Sequence, residues 1–190
     1  MPLTQLDEKA ALIVIDLQKG IVGMLGKTAA EEVVGRSAEL ARAFRKRGLP
    51  VVLVNVTAGA PGRTDVGVRK FEFPPDWAEL VPELEQQEGD LLISKQRRGA
   101  FLGTGLDETL RGLGVTQVFL TGIATSVGVE STARSADDFG YNVVFVVDAM
   151  ADREADVHAF CLEKIFPKLG ETETTANVLK MLARGRLELR

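Results

Sequence analysis

Two ionisable side chains stand where apolar runs end, and a third point of chemical interest is a turn rich in small residues. Asp16 directly follows the apolar run Ala10-Ala-Leu-Ile-Val-Ile15, and Lys95 ends the shorter run Leu91-Leu-Ile-Ser94. A carboxylate leaving a buried strand is partly desolvated, which raises its pKa and suits it to proton transfer. A lysine at another strand end can pair with that carboxylate and set its proton affinity, or hold an anionic substrate. Each residue also has a plain structural use, Asp16 as a helix cap or ion-pair partner and Lys95 as a solvated strand end. The third point lies in Val118-Phe-Leu-Thr-Gly-Ile-Ala-Thr-Ser-Val-Gly-Val-Glu-Ser-Thr-Ala-Arg134, which reads as strand, glycine-bearing turn and helix. Such a turn aims unpaired backbone N–H groups at one point, a setting for an anion or an oxyanion. A nucleophile is sought one turn into that helix, and position 128 is a glycine.

Other reactive side chains offer less. Ser126 has no Gly-x-Ser-x-Gly elbow around it and reads as a helix N-cap. Cys161, between Phe160 and Leu162, reads as a small buried hydrophobe, and His158 on the same helix as a structural or interface residue. These are the only cysteine and the only histidine, so intrachain disulfides and clustered thiolate metal sites are excluded. A histidine-rich zinc or iron centre is not expected either, and the sequence implies no cofactor and no metal.

The elements that must carry these residues can be read from periodicity. Runs at 10–15, 51–56, 91–94, 117–121 and 142–147 are short, apolar and unalternating, as strands covered on both faces are. The last of these leads into Asp148. Between them lie helical patterns: one opened by Thr28-x-x-Glu31 in capping-box form and stopped at Gly48, one after Thr104-x-x-Asp107, and one after Ser126. A further helix is expected from about Arg153 to Phe166, and a final one opened by Thr174 or Thr175. Residues 57–76 break every period and form a long loop, and 76–84 could hold a short helix. This alternation predicts an α/β three-layer α/β/α sandwich around a mostly parallel, doubly wound sheet of five or six strands. Ligands in such sheets bind at the C-terminal ends of the strands, where strand order reverses. Asp16, Lys95 and the 121–128 turn all fall there.

Composition limits the classes of function. A chain of 190 residues with 45% hydrophobic content fits a single domain, 1–190, with a substantial core. With 23 basic and 27 acidic residues the net charge is −4, which argues against a nucleic-acid partner. No secretory signal is evident, and no apolar run approaches the ~20 residues that span a bilayer. A cytoplasmic protein without a membrane partner is expected.

Three segments carry a resemblance. Ala11-Leu-Ile-Val-Ile-Asp16-Leu-Gln18, Lys95-Gln-Arg-Arg-Gly-Ala-Phe101 and Thr121-Gly-Ile-Ala-Thr-Ser-Val-Gly-Val-Glu-Ser-Thr-Ala-Arg134 resemble, in order and spacing, the signature blocks of the isochorismatase-like hydrolases. The likeness covers nearly the whole chain and includes Ile165-Phe-Pro-Lys-Leu-Gly-Glu171. It implies a sheet ordered 3-2-1-4-5-6, a homo-oligomer (a dimer or larger), and a cis peptide at Ile123–Ala124. In cysteine hydrolases of this family an Asp, a Lys and a Cys form a triad, with backbone N–H groups of the last block on the oxyanion. Asp16 and Lys95 match two of these positions, and Gly128 stands at the third. Without a thiol the covalent amidase route is closed at that position. The family's isochorismatases also resemble this chain in having glycine there, and they cleave a vinyl ether through proton donation by the Asp. The resemblance therefore implies a hydrolase of a small anionic molecule, with Asp16 as acid, Lys95 beside it and Ile123, Ala124, Thr125 and Gly128 forming the turn. Gln18, Arg97, Arg98 and Phe101 are the candidate substrate contacts, with Arg63 and Arg69 of the loop as further ligands for a carboxylate. The alternative is a silent homologue that binds a small molecule without turnover. Lys95-Gln-Arg-Arg lacks the aromatic residues expected around a cyclohexadiene ring, so isochorismate itself is not implied. A receiver-type switch would need acidic residues where Leu17-Gln18 and Ser94 stand.

Overall fold

The computed structural model describes residues 3–65, 67–68 and 73–184. Strands β1 (Ala10–Ile15), β2 (Val51–Val56), β3 (Leu91–Lys95), β4 (Gln117–Ile123), β5 (Asn142–Ala151) and β6 (Glu171–Glu173) form one parallel six-stranded sheet in the order 3-2-1-4-5-6. β1 is buried along its whole length, which accounts for its unbroken apolar sequence. Its residues alternate between two cores. Leu12 and Val14 pack with Phe119, with Val34, Ala41 and Phe44 of helix α1 (Lys27–Lys46), and with Val178 and Leu182 of α5 (Thr175–Arg184). Ala11, Ile13 and Ile15 face the opposite layer, where α2 (Leu106–Gly112) contributes Leu106 and Leu110, and α3 (Glu130–Asp138) contributes Ala133 and Ala136. The expected three-layer α/β/α sandwich is present.

Several local expectations are corrected. α1 starts at Lys27 with Gly26 as N-cap, so Thr28 already lies inside the first turn and cannot close a capping box. Glu31 instead lies one turn from Lys27, with 3.9 Å between their charged atoms. β5 continues past Asp148 to Ala151, because a register shift after Leu120 lets Gly122 and Ile123 pair with Met150 and Ala151. Asp148 caps α5, accepting the backbone N–H of Thr175 at 2.7 Å. The helix expected over 153–166 is shorter and irregular: α4 (Ala155–Phe160) widens into a π-helical turn (Cys161–Ile165) and then tightens (Phe166–Lys168). The short helix expected over 76–84 is only the 3-10 turn Pro82–Leu84. β6, three residues long, has no periodic signature of its own. Among the described residues no helix is long and apolar enough to cross a membrane.

Candidate active site

β1 and β4 are neighbours, and the connections that follow them leave in opposite directions, so a crevice opens at their C-terminal ends. Asp16 sits at its floor as the first residue beyond β1, with φ 55°, in the left-handed region that aspartate enters more readily than most side chains. Lys95 reaches the same point from β3. Two strand spacings of ~4.8 Å separate β3 from β1, a gap that only a long side chain spans across the end of β2. Lys95 Nζ donates to Asp16 Oδ2 at 2.7 Å and to the carbonyl of Arg97 at 3.3 Å. Both side chains are buried, Lys95 at 2% and Asp16 at 7% exposure. Asp16 Oδ1 is also buried but has no hydrogen-bond partner among the described residues. Burial pushes the Asp16 carboxyl up to about 6, against the opposing pull of the Lys95 charge and hydrogen bond. The pair thus has one oxygen engaged and one bare, on a carboxyl poised between its two protonation states.

The turn after β4 completes the crevice. Gly122, at φ 115°, passes so close to β1 that a Cβ there would overlap the Ile15 carbonyl. The Ile123–Ala124 peptide bond is cis. A π-helical turn, Thr125–Val129, follows, in which the N–H groups of Val127 and Val129 both donate to the Ala124 carbonyl. Gly128 lies in it with its α-carbon against the ion pair. A Cβ at 128 would stand 3.0 Å from Asp16 Oδ2 and 3.3 Å from the Ile123 carbonyl oxygen. The glycine therefore occupies the point that a nucleophile would share with the carboxylate.

Two partners of the turn carry no signal in the sequence. Ser126 is not the N-cap it resembles. Both its N–H and its hydroxyl donate to Asp152 Oδ2, at 2.8 and 2.7 Å, so a carboxylate beyond β5 binds the start of the turn. Thr125 Oγ1 lies 2.8 Å from His158 Nδ1 of α4. Burial lowers the His158 pKa while the Asp152 charge works the other way. Cys161 is buried, as its apolar neighbours imply. Its thiol faces Glu130 at 3.5 Å, and burial together with that carboxylate pushes it up to about 11. Among the described residues no three His, Cys, Asp or Glu side chains gather as a metal site.

A cavity of about 360 Å³ opens above the ion pair, within the range of small-molecule sites. Asp16 and Lys95 are in its floor, Arg97 and Arg98 on one side, and Met24 and Val127 at its exposed mouth. The opposite wall is Phe73 stacked on Trp77, with ring centroids 3.7 Å apart and planes 14° from parallel. The aromatic surface missing from 95–98 is thus supplied by the long loop. Gln18 and Phe101, expected as substrate contacts, are not among the described residues that line this cavity. The Gln18 amide is wholly buried and spent on backbone, donating to the carbonyls of Val56 and Trp77 and accepting the Val56 N–H. Phe101 packs in the core beside Phe139 and Tyr141. Arg63 lines a neighbouring cavity, and Arg69 lies outside the described residues.

Comparison with known proteins agrees with this geometry. A family model described as the isochorismatase domain matches residues 10–177. The isochorismatase family protein YwoC of Bacillus subtilis is 41% identical over 182 residues, covering 92% of this chain and 95% of YwoC. Maleamate amidohydrolase of Pseudomonas putida is 30% identical over 185 residues, covering 92% of this chain and 87% of that protein. A solved isochorismatase family structure from Burkholderia thailandensis superposes with a TM-score of 0.90 at 42% identity, covering 94% of this chain and 98% of its own. Likeness of that extent, in sequence and in fold, makes the chain a member of the isochorismatase-like hydrolase family.

Proposed function

We propose that the protein hydrolyses a small anionic molecule by general-acid catalysis at Asp16, with no covalent intermediate. The observation that carries this reading is the buried Asp16–Lys95 pair beside Gly128, with Asp16 Oδ2 held by Lys95 and Oδ1 bound to none of the described residues. Lys95 holds Oδ2 as an acceptor, so a proton on the carboxyl resides on Oδ1, the oxygen free to reach a substrate. The leaving heteroatom, or the carbon of a vinyl ether, takes that proton. Water then adds to the electron-poor carbon, and its released proton restores the acid. Position 128 offers no thiol, so water itself forms the adduct, and that hemiketal or tetrahedral adduct collapses with loss of the alcohol or amine, with no thioester on the way. The Phe73–Trp77 wall favours a planar or unsaturated substrate, and Arg97 and Arg98 favour a carboxylate. A relative named as a maleamate amidohydrolase, whose named substrate carries a carboxylate and an amide, supports a carboxylate-bearing substrate.

The test is turnover of a panel of vinyl ethers, amides and esters of short carboxylic acids by wild type and Asp16→Asn. General-acid catalysis is worth about 10²–10⁴-fold, and the variant should lose that much on every accepted substrate. Wild-type kcat/KM should fall about tenfold per pH unit above about 6, as Asp16 ionises. Undiminished turnover in Asp16→Asn would overturn the mechanism. Binding without turnover by the wild type would leave a small-molecule-binding homologue instead.

A further inference from the structure

Beside the catalytic cavity lies a second one of about 380 Å³, and Arg97 and Arg98 line both. The second cavity is formed by the 60–64 loop, the loop after β3 and the exposed face of α3, where Ser131 and Ser135 stand one turn apart. Arg63 closes its far side, and Leu102, 69% exposed, forms its apolar lip. Three arginines and no carboxylate line it among the described residues, in a chain whose net charge is −4. The other arginines near acidic groups are paired: Arg45 with Asp90, Arg36 with Asp148, Arg134 with Glu130. None of the ion pairs among the described residues includes Arg63, Arg97 or Arg98. Gly99 brings this wall together. A Cβ there would stand 3.0 Å from the Ser131 carbonyl oxygen, a tight contact, so glycine lets the arginine-bearing loop lie directly on α3 without displacing it.

We propose that this groove is a second subsite, which takes a carboxylate on the substrate several atoms away from the bond that is cleaved. The inference rests on the reading of Asp16 as the catalytic acid and extends it. The reacting end lies between Asp16 and the Phe73–Trp77 wall, and the chain passes Arg97 and Arg98. Its carboxylate is held by the Arg98 and Arg63 guanidiniums, which match a carboxylate in fork geometry. The substrate class is then an extended acid, longer than a four-carbon one, with its scissile group at the end opposite the carboxylate.

The test uses ω-amido acids of increasing length (succinamate, glutaramate, adipamate), each against the corresponding diamide, with affinity measured by calorimetry. Adipamate should bind at least tenfold tighter than adipamide, with a smaller preference for succinamate over succinamide. Arg63→Ala, at a residue that lines only the second cavity, should remove most of the adipamate preference while leaving adipamide affinity unchanged, and Arg98→Ala should remove most of that preference as well. Arg98→Lys, which keeps the charge but not the fork, should fall between. Equal binding of acid and diamide, no measurable binding across the series, or an adipamate preference that survives both alanine variants would overturn the proposal. Failure of the catalytic reading shows elsewhere, as undiminished turnover in Asp16→Asn with the affinity ratios intact.

Discussion

At the scale of single residues, the chemistry depends on how Lys95 and burial divide control of one carboxyl. Burial drives the Asp16 pKa up and Lys95 draws it down, with burial the larger influence. A buried ion pair of this kind is weak evidence of stabilisation, since desolvation of both charges offsets their attraction. Its value lies in tuning. Lys95→Met keeps the length of the side chain and removes the charge, so Asp16 should hold its proton more tightly. The falling limb of the kcat/KM profile should then move about 1–3 pH units upward, alongside a loss of rate. A limb that stays in place or moves down would show that Lys95 does not act on Asp16 in this way. The meeting of Asp16 and Lys95 was legible in the sequence because each ends an apolar strand, and strand ends converge in a doubly wound sheet. His158 and Asp152 were not, because their partners Thr125 and Ser126 lie on another element and nothing local marks the pairing.

At the scale of elements, the sheet was legible and the long loop was not. The buried strands announce themselves as apolar runs, whereas residues 57–76 have no period, and what fixes them is long-range. Trp77 reaches the cavity wall because its carbonyl accepts the Gln18 amide at 3.1 Å and the Gly20 N–H at 3.0 Å. Gly20 is needed there, since a Cβ would overlap the indole ring. Gln18, next but one to Asp16, looked like a substrate contact by position, yet its amide fastens the loop to β2. Gln18→Leu would remove three hydrogen bonds to the backbone, stripping the Val56 N–H and carbonyl of their side-chain partner and leaving the Trp77 carbonyl with the Gly20 N–H alone. The expected cost is roughly 2–4 kcal/mol in urea unfolding, with a higher KM as the aromatic wall loosens. A variant of wild-type stability with an unchanged KM would remove Gln18 from this role. Phe101 is a related case. It lies close in sequence to Lys95, but its ring belongs to the core beneath α2 and α3, and proximity along the chain says little about which side of a loop a ring will take.

At the scale of the whole molecule, the site leaves a signature in how stability depends on pH, and its two titrating groups act with opposite sign. Asp16 binds its proton more tightly in the native state than in the unfolded chain. Between the ordinary 3.8 and about 6, the folded protein therefore carries the extra proton, and stability falls as pH rises through that window. His158 is lowered by burial, so just below its ordinary 6.5 the unfolded chain carries the extra proton, and stability rises with pH. In the wild type these contributions act in opposite directions, so the net profile blends them. Substitution separates them. Asp16→Asn should make the slope of stability against pH more positive between about 4 and 6. His158→Gln, which can still bond Thr125, should make the slope less positive below about 6.5. Urea midpoints measured at half-unit pH steps for wild type and both variants provide the check. Slope changes of the same sign in the two variants would contradict the opposed burial of an acid and a base on either side of the Gly128 turn.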